Sequence, residues 1–270
     1  MTEKICAVDL GMPTLLEAAG AEESAALCAE LGLQFVELNM NLPEYADPAH
    51  MDREKLCALR EKYGVYFTLH LDERLDGCDF NPLVRNAYQE TLRRALELAQ
   101  EAEMPIVNLH LNHGVYFTLP NKKTYLYAER REEYLQHIDE MRRIGEEGAD
   151  ENIALCVENT NGFLAQEKKA LDLLMKSKRW GLTLDVGHMH SAGYVDDDVY
   201  IVHSGKLRHM HLHDALLMQA GQCHLPLGEG NLDWRDSLRT AETRHCRAVI
   251  EVKTLSALRD SVKTLREAGK

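Results

Sequence analysis

Short apolar runs alternate almost regularly with longer stretches that have apolar residues at helical spacing, and this alternation constrains the fold more than any other feature. It predicts a parallel sheet covered by helices, because each return to the same edge of a sheet needs a crossover. Eight units in 270 residues fit a closed (β/α)8 TIM barrel of the α/β class. The eight predicted strands are Ile5–Leu10, Gln34–Asn39, Val65–Leu71, Pro105–Leu111, Ile153–Glu158, Gly181–Asp185, Leu207–His213 and Arg247–Val252.

An open doubly wound sheet is the alternative fold, but no Gly-x-Gly-x-x-Gly segment follows any predicted strand. No shift in composition marks a second domain, so residues 1–270 are predicted to form a single domain. The first helix is predicted over Leu15–Leu31. Asn112–Lys123 is predicted to be a long irregular loop that could act as a lid.

Charge and composition indicate which kinds of partner and which cellular location to expect. The formal net charge of −13 repels nucleic acid and anionic membranes at long range, so a nucleic-acid partner is disfavoured. No apolar run reaches about 18 residues, so neither a transmembrane helix nor a membrane partner is expected. Seven cysteines without a Cys-x-x-Cys pair, and a start that does not read as a signal peptide, predict a cytoplasmic protein with reduced thiols.

Six consecutive predicted strands each carry a potential metal ligand near the C-terminal end. These residues are His70, His110, Glu158, Asp185, His211 and Glu251, and the adjacent loops add His188 and His224. In a barrel, the strand ends and the loops after them form the site at one mouth. A single strand histidine is usually a hydrogen-bonded core residue, but three carboxylates are costly to bury together unless cations neutralise them. We therefore predict a divalent-metal site.

Two further histidines share the strand parity of His211. We interpret His209 as a core residue, and we expect His213 either to support the metal ligands or to contact a substrate.

The second half of the chain resembles the xylose-isomerase-like barrels, which include sugar-phosphate isomerases and epimerases and also endonuclease IV. The matching stretches are Val157–Thr160, Leu184–His188, His211–Asp214, His224–Trp234 and Ile250–Val252, and they occur in the family's order. The first half matches through the predicted architecture, through Val36–Asn39, and through His70 and His110.

The resemblance implies a core metal ion with the ligands Glu158, Asp185, His211 and Glu251. It also implies that Glu158 and Glu251 act as catalytic acid and base. In endonuclease-like members, residues matching His70, His110, His188 and His224 bind further zinc ions, so one to three ions are expected here. Zinc or manganese is favoured, with magnesium and cobalt left open. Gln222 stands where the family often has an aspartate two residues before the last histidine, which weakens a third metal position.

These residues favour a metal-dependent isomerase or epimerase that acts on a small sugar or sugar phosphate. Its substrate contacts are predicted to be His188, His213 and Lys253. Three alternatives remain open: a polyol dehydratase, which would use nearly the same groups; a zinc-dependent phosphodiesterase like endonuclease IV (AP endonuclease family 2); and a binding module without activity. No basic and aromatic stretch typical of DNA binding supports the second. A homo-oligomer is also left open.

Overall fold

The computed structural model describes residues 5–18, 20–219 and 222–268, and its centre is a closed barrel of eight parallel strands. The barrel strands are β1 (Leu10–Pro13), β2 (Phe35–Asn39), β3 (Tyr66–His70), β4 (Ile106–His110), β7 (Ala154–Glu158), β8 (Trp180–Asp185), β9 (Leu207–Leu212) and β10 (Arg247–Ile250). Each barrel strand pairs with the next barrel strand in the sequence, so that β4 pairs with β7, and β10 pairs with β1 to close the barrel. The predicted TIM barrel is therefore confirmed.

Helices connect the barrel strands and cover the outside of the barrel. They are α1 (Ala21–Glu30), α2 (Arg53–Tyr63), α3 (Pro82–Glu101), α4 (Leu126–Glu129), α5 (Arg131–Gly148), α6 (Ala165–Leu174), α7 (Val186–Ser191), α8 (Asp197–Val202), α9 (Trp234–Arg244) and α10 (Leu255–Ala268). Their boundaries follow local chemistry: Asp52 caps the start of α2, and Gly64 ends it in the left-handed conformation. Within the ranges described, none of these helices combines the length and apolar character that a membrane crossing requires.

The first strand lies later in the chain than the predicted Ile5–Leu10. It spans Leu10–Pro13 and pairs with both β10 and β2. Gly11 makes this position possible, because a Cβ atom at residue 11 would overlap the ring of the buried Phe35. The Gly-Met-Pro segment that was expected to end the strand is therefore part of it.

Two other local predictions were wrong. The first helix begins at Ala21 and not at Leu15, because Gly20 is extended and occupies the position before the helix. The segment predicted as an irregular loop contains an antiparallel hairpin of β5 (Tyr116–Leu119) and β6 (Lys122–Tyr125). Its aromatic and threonine residues favour strand, and Lys123 Nζ lies 4.2 Å from the centre of the Tyr116 ring.

Polar side chains fill part of the barrel interior, below the mouth where the strands end. They come from five different strands and are all buried. The residues are Glu37, Thr68, Asn108, Thr183 and His209. Because a buried polar group is stable only with partners, this layer indicates an ordered network beneath the strand ends.

Candidate metal centre

Four side chains from four neighbouring strand ends converge at the C-terminal mouth of the barrel. They are Glu158, Asp185, His211 and Glu251, and one potential ligand atom from each lies within 4.8 Å of the others. Nδ1 of His211 is 3.1 Å from Oε1 of Glu158 and 2.9 Å from Oε2 of Glu251. It lies 4.0 Å from Oδ2 of Asp185. This is the set that the family resemblance implies for a core metal ion.

The strand register explains why these residues lie at the same height. Asp185 at the end of β8 pairs with His211 on β9, and His110 on β4 pairs with Glu158 on β7. The side chain of Asn159 joins β7 to β8, since its Oδ1 accepts from the Asp185 N–H and its Nδ2 donates to the Asp185 carbonyl. Glu251 follows β10 directly, and its N–H still donates to the carbonyl of Leu212.

A second cluster lies beside the core set and shares Glu158 with it. Nε2 of His70 is 3.3 Å and Nε2 of His110 is 3.1 Å from Oε2 of Glu158. The same oxygen accepts a hydrogen bond from Nδ2 of Asn108. Nδ1 of His70 is 2.8 Å from the carbonyl of Leu71, so its Nε2 is free to face Glu158. His70 and His110 therefore form the side of the mouth next to Glu158.

A third cluster, His188, His213 and His224, lies on the Asp185 side of the mouth. Nε2 of His213 is 3.1 Å from Oδ2 of Asp185, and Nδ1 of the same ring accepts from the N–H of His224. Nδ1 of His188 lies 3.4 Å from Asp185 Oδ2. Both nitrogens of His213 are thus engaged, so this buried ring braces Asp185 and the start of the loop that carries His224.

The charges of the core set depend on one another. Burial raises the pKa of Glu158, but His211 and His110 outweigh this effect and hold the pKa well below its usual range. Burial likewise raises the pKa of Glu251, and His211 beside it lowers that pKa further than burial raises it. For His211, burial lowers the pKa, but Glu158, Glu37 and Glu251 raise it well above its usual value. These groups favour charged carboxylates around a cationic centre.

Several buried polar atoms of the mouth have no hydrogen-bond partner among the described residues. They are Nε2 of His110, Nδ1 of His188, Nε2 of His211 and Oε2 of Glu251. Such unpartnered atoms are costly unless another group binds them. Together with carboxylate oxygens and imidazole nitrogens, they fit the ligand preferences of a divalent cation.

Two residues of the interior network were not predicted to belong to the site. Oε2 of Glu37 on β2 is 3.0 Å from Nε2 of His209, and Oε1 of Glu37 is 2.8 Å from Nε2 of His211. His209 is in the core, as interpreted, but it lies in the layer below the candidate metal ligands. Two signals were available for Glu37: it is an acidic residue inside the otherwise apolar run Phe35–Leu38, and it lies in the stretch Val36–Asn39 that resembles the family.

Two further side chains, Lys253 and Cys223, lie at the mouth beside Glu251 and His224. Lys253, predicted to contact substrate, has a side chain that is 60% exposed, with Nζ 3.0 Å from Oε1 of Glu251. The thiol of Cys223, which was not predicted, is hydrogen-bonded to His188 and His224, and these contacts lower its pKa to about 6.

Comparison with known proteins places the chain in a family. The sequence model of the xylose isomerase-like TIM barrel matches residues 25–268. An uncharacterized protein of Methanocaldococcus jannaschii is 26% identical over 216 residues, which are 77% of this chain and 71% of that protein. The solved structure of a D-tagatose 3-epimerase-like protein has a TM-score of 0.75 and 24% identity, and covers 96% of both chains. The IolI protein with a bound zinc atom has a TM-score of 0.72 and 14% identity, and covers 97% of this chain and 96% of its own. The chain therefore belongs to the xylose isomerase-like TIM barrel family.

Proposed function

We propose that this protein is a divalent-metal-dependent isomerase or epimerase of sugars or sugar phosphates. The observation that carries the proposal is the position of Glu158 and Glu251, which both contact Nδ1 of His211 at the open end of the barrel. Two carboxylates next to one cation position suit proton removal and return at carbon. The likeness to a D-tagatose 3-epimerase-like protein supports the same reaction class.

In this proposal the core ligands hold one divalent cation, with zinc or manganese favoured. A bound cation would polarise the carbonyl and hydroxyl oxygens of the sugar. The side chain of Glu251 is 15% exposed, whereas that of Glu158 is 2% exposed. Glu251 is therefore the carboxylate that reaches substrate more easily, and we assign it the removal of the proton next to the carbonyl. Glu158 would take up a proton from solvent and return it to the substrate, while Glu251 would release the proton it has removed to solvent.

The predicted substrate contacts divide into two kinds. His188 and Lys253 lie at the mouth and carry groups that can bind hydroxyl or phosphate oxygens. His213 is fully buried against Asp185. We therefore propose His213 as a support for Asp185, and His188 and Lys253 as contacts for the sugar.

Solvent isotope exchange tests this reaction directly. Purified protein loaded with zinc or manganese would be incubated with a panel of ketohexoses, ketopentoses and their phosphates in deuterated water. Deuterium at a carbon next to the carbonyl, detected by NMR, is the expected result for at least one substrate. Loss of water from a substrate would point to the dehydratase. If no member of the panel exchanges although the protein holds metal, the isomerase proposal fails.

A zinc-dependent phosphodiesterase is the second candidate, and the two additional histidine clusters favour it. His70 and His110 with Glu158, and His188 with His224, could hold further ions beside the core set. Metal analysis separates the two functions, because one ion per chain favours the isomerase and two or three favour hydrolysis. Cleavage of a duplex with an abasic site, together with three bound ions, would support the phosphodiesterase and contradict the isomerase.

A further inference from the structure

Glu37 is a buried carboxylate that faces the metal centre from below. It lies on β2, its side chain is 2% exposed, and its Oε1 is 2.8 Å from Nε2 of His211. The other ring nitrogen, Nδ1, faces Glu158 and Glu251. The His211 ring thus stands between a carboxylate in the barrel interior and the carboxylates at the mouth.

The second oxygen of Glu37 is already held by two other groups. Thr68 Oγ1 donates to Oε2 over 3.1 Å, and Nε2 of His209 lies 3.0 Å from the same atom. Thr68 is directly beside Glu37 in the register of β2 and β3. These contacts fix the orientation of the carboxylate and leave Oε1 facing His211.

The ionisation of Glu37 agrees with this arrangement. Glu37 accepts a hydrogen bond from Thr68 Oγ1 and faces the rings of His209 and His211, which is a suitable environment for a charged carboxylate. A charged carboxylate accepts hydrogen bonds and cannot donate them, so it selects the ring nitrogen that carries a proton. For a neutral His211, a proton on Nε2 leaves the lone pair on Nδ1, directed at the other core ligands.

We infer that Glu37 is a positioning residue of the proposed metal centre: it holds the proton of His211 on Nε2 and so directs Nδ1 to the cation. The inference rests on the proposed function, since it requires a metal ion at the core set. It also requires the imidazole to turn slightly on coordination, because the contact to Glu37 has the distance of a hydrogen bond but not its angle.

The same three residues, Glu37, His209 and His211, could instead bind a second ion in the interior. We favour the positioning role because a neutral imidazole has only one nitrogen lone pair. Coordination of one ion at each nitrogen of His211 would require the ring to lose both protons.

The test compares metal affinity in Glu37→Ala, Glu37→Gln and wild type, by competition with a chelator for zinc and cobalt. We expect Glu37→Ala to lose about 10- to 100-fold in affinity, the usual effect of removing such a support. Glu37→Gln keeps an acceptor oxygen and should stay close to wild type. Glu167→Ala removes an equally buried glutamate outside these clusters and should keep wild-type affinity.

Long-range proton–nitrogen NMR of the zinc-loaded protein provides a readout that stability does not affect. His211 should carry its proton on Nε2 and bind zinc through Nδ1. Glu37→Gln should change the chemical shift of the Nε2 proton, because the acceptor loses its charge. A proton on Nδ1, or equal affinity in Glu37→Ala and wild type, overturns the inference. Loss of a second metal equivalent in Glu37→Gln would establish the interior ion instead. If the wild type binds no metal, the proposed function itself fails.

Discussion

Glu158 and Glu251 both lie within 3.1 Å of a single atom, Nδ1 of His211, although 93 residues separate the two glutamates in the chain. Glu158 is enclosed by His70, His110 and Asn108. Glu251 has an oxygen, Oε2, without a hydrogen-bond partner among the described residues. This asymmetry distinguishes two otherwise equivalent carboxylates. It is the basis for the separate roles proposed for the two residues, and each role can be tested.

Replacement of Glu251 by Gln should abolish solvent exchange while the fold remains. The amide has nearly the same shape but cannot take up a proton, so we expect a loss of at least about 100-fold in the exchange rate. The measurement is deuterium incorporation by NMR, with circular dichroism to monitor the fold. Glu97→Gln, on the exposed side of α3, is the matched control and should exchange normally. Exchange that survives in Glu251→Gln would show that another group removes the proton.

Metal binding should release protons and strengthen with pH. Burial lowers the pKa of His70, but its hydrogen bond to Glu158 and the charge there raise the pKa to about 9. Below that pH the metal-free ring carries a proton, which must leave before the ring can bind a cation. Affinity at this cluster should therefore rise about tenfold per pH unit for each released proton and level off above about pH 9.

Calorimetric titration in buffers with different ionisation enthalpies measures this proton release. A surface variant, His50→Asn, should release as many protons as the wild type, because His50 is exposed and lies outside the described clusters. An affinity that does not change between about pH 6 and pH 9 would contradict the prediction.

Removal of the His70 and His110 imidazoles should show whether the proposed core set binds its ion and supports exchange without an additional ion. In the double variant His70→Asn/His110→Asn, all four core ligands remain, so we expect one ion per chain and an exchange rate within about tenfold of wild type. Asp185→Asn, in which a core ligand is weakened, should instead lose both metal and exchange. Metal content and deuterium exchange are measured on the same samples. Complete loss of exchange in the double variant would assign the reaction to a multinuclear centre.

The sequence was sufficient to predict that acids and histidines from several strand ends lie close together. Parallel strands of a barrel end at one rim, so an acid or histidine at the end of each run, as at Glu158 and Asp185, must lie near the others. The network one layer below was not predictable in the same way. Glu37 and His209 are 172 residues apart, and their contact depends on the closure of the barrel between distant strands. An isolated acid in an apolar strand shows only that a partner must exist.

The error in the position of the first strand has a different cause, the packing around Gly11. Gly11 was interpreted as the end of a strand, because glycine often terminates regular structure. In the barrel it is a strand residue that makes space for the Phe35 ring from the neighbouring strand. Such a packing requirement involves two separate segments and cannot be derived from either segment alone.

Gly187 should be intolerant of any side chain, and the effect should extend to the metal centre. A Cβ atom at Gly187 would overlap the ring of His213, which Asp185 and the N–H of His224 hold in place. Gly187→Ala should therefore lower the free energy of unfolding by about 1–3 kcal/mol, the usual cost of overpacking. It should also weaken metal binding, because displacement of His213 removes a support of Asp185. Gly205→Ala, where a Cβ atom meets no atom within 4 Å, is the matched control and should change stability by less than about 0.5 kcal/mol. Denaturant unfolding and chelator competition measure the two effects, and equal behaviour of the two variants would show that the His213 ring can move freely.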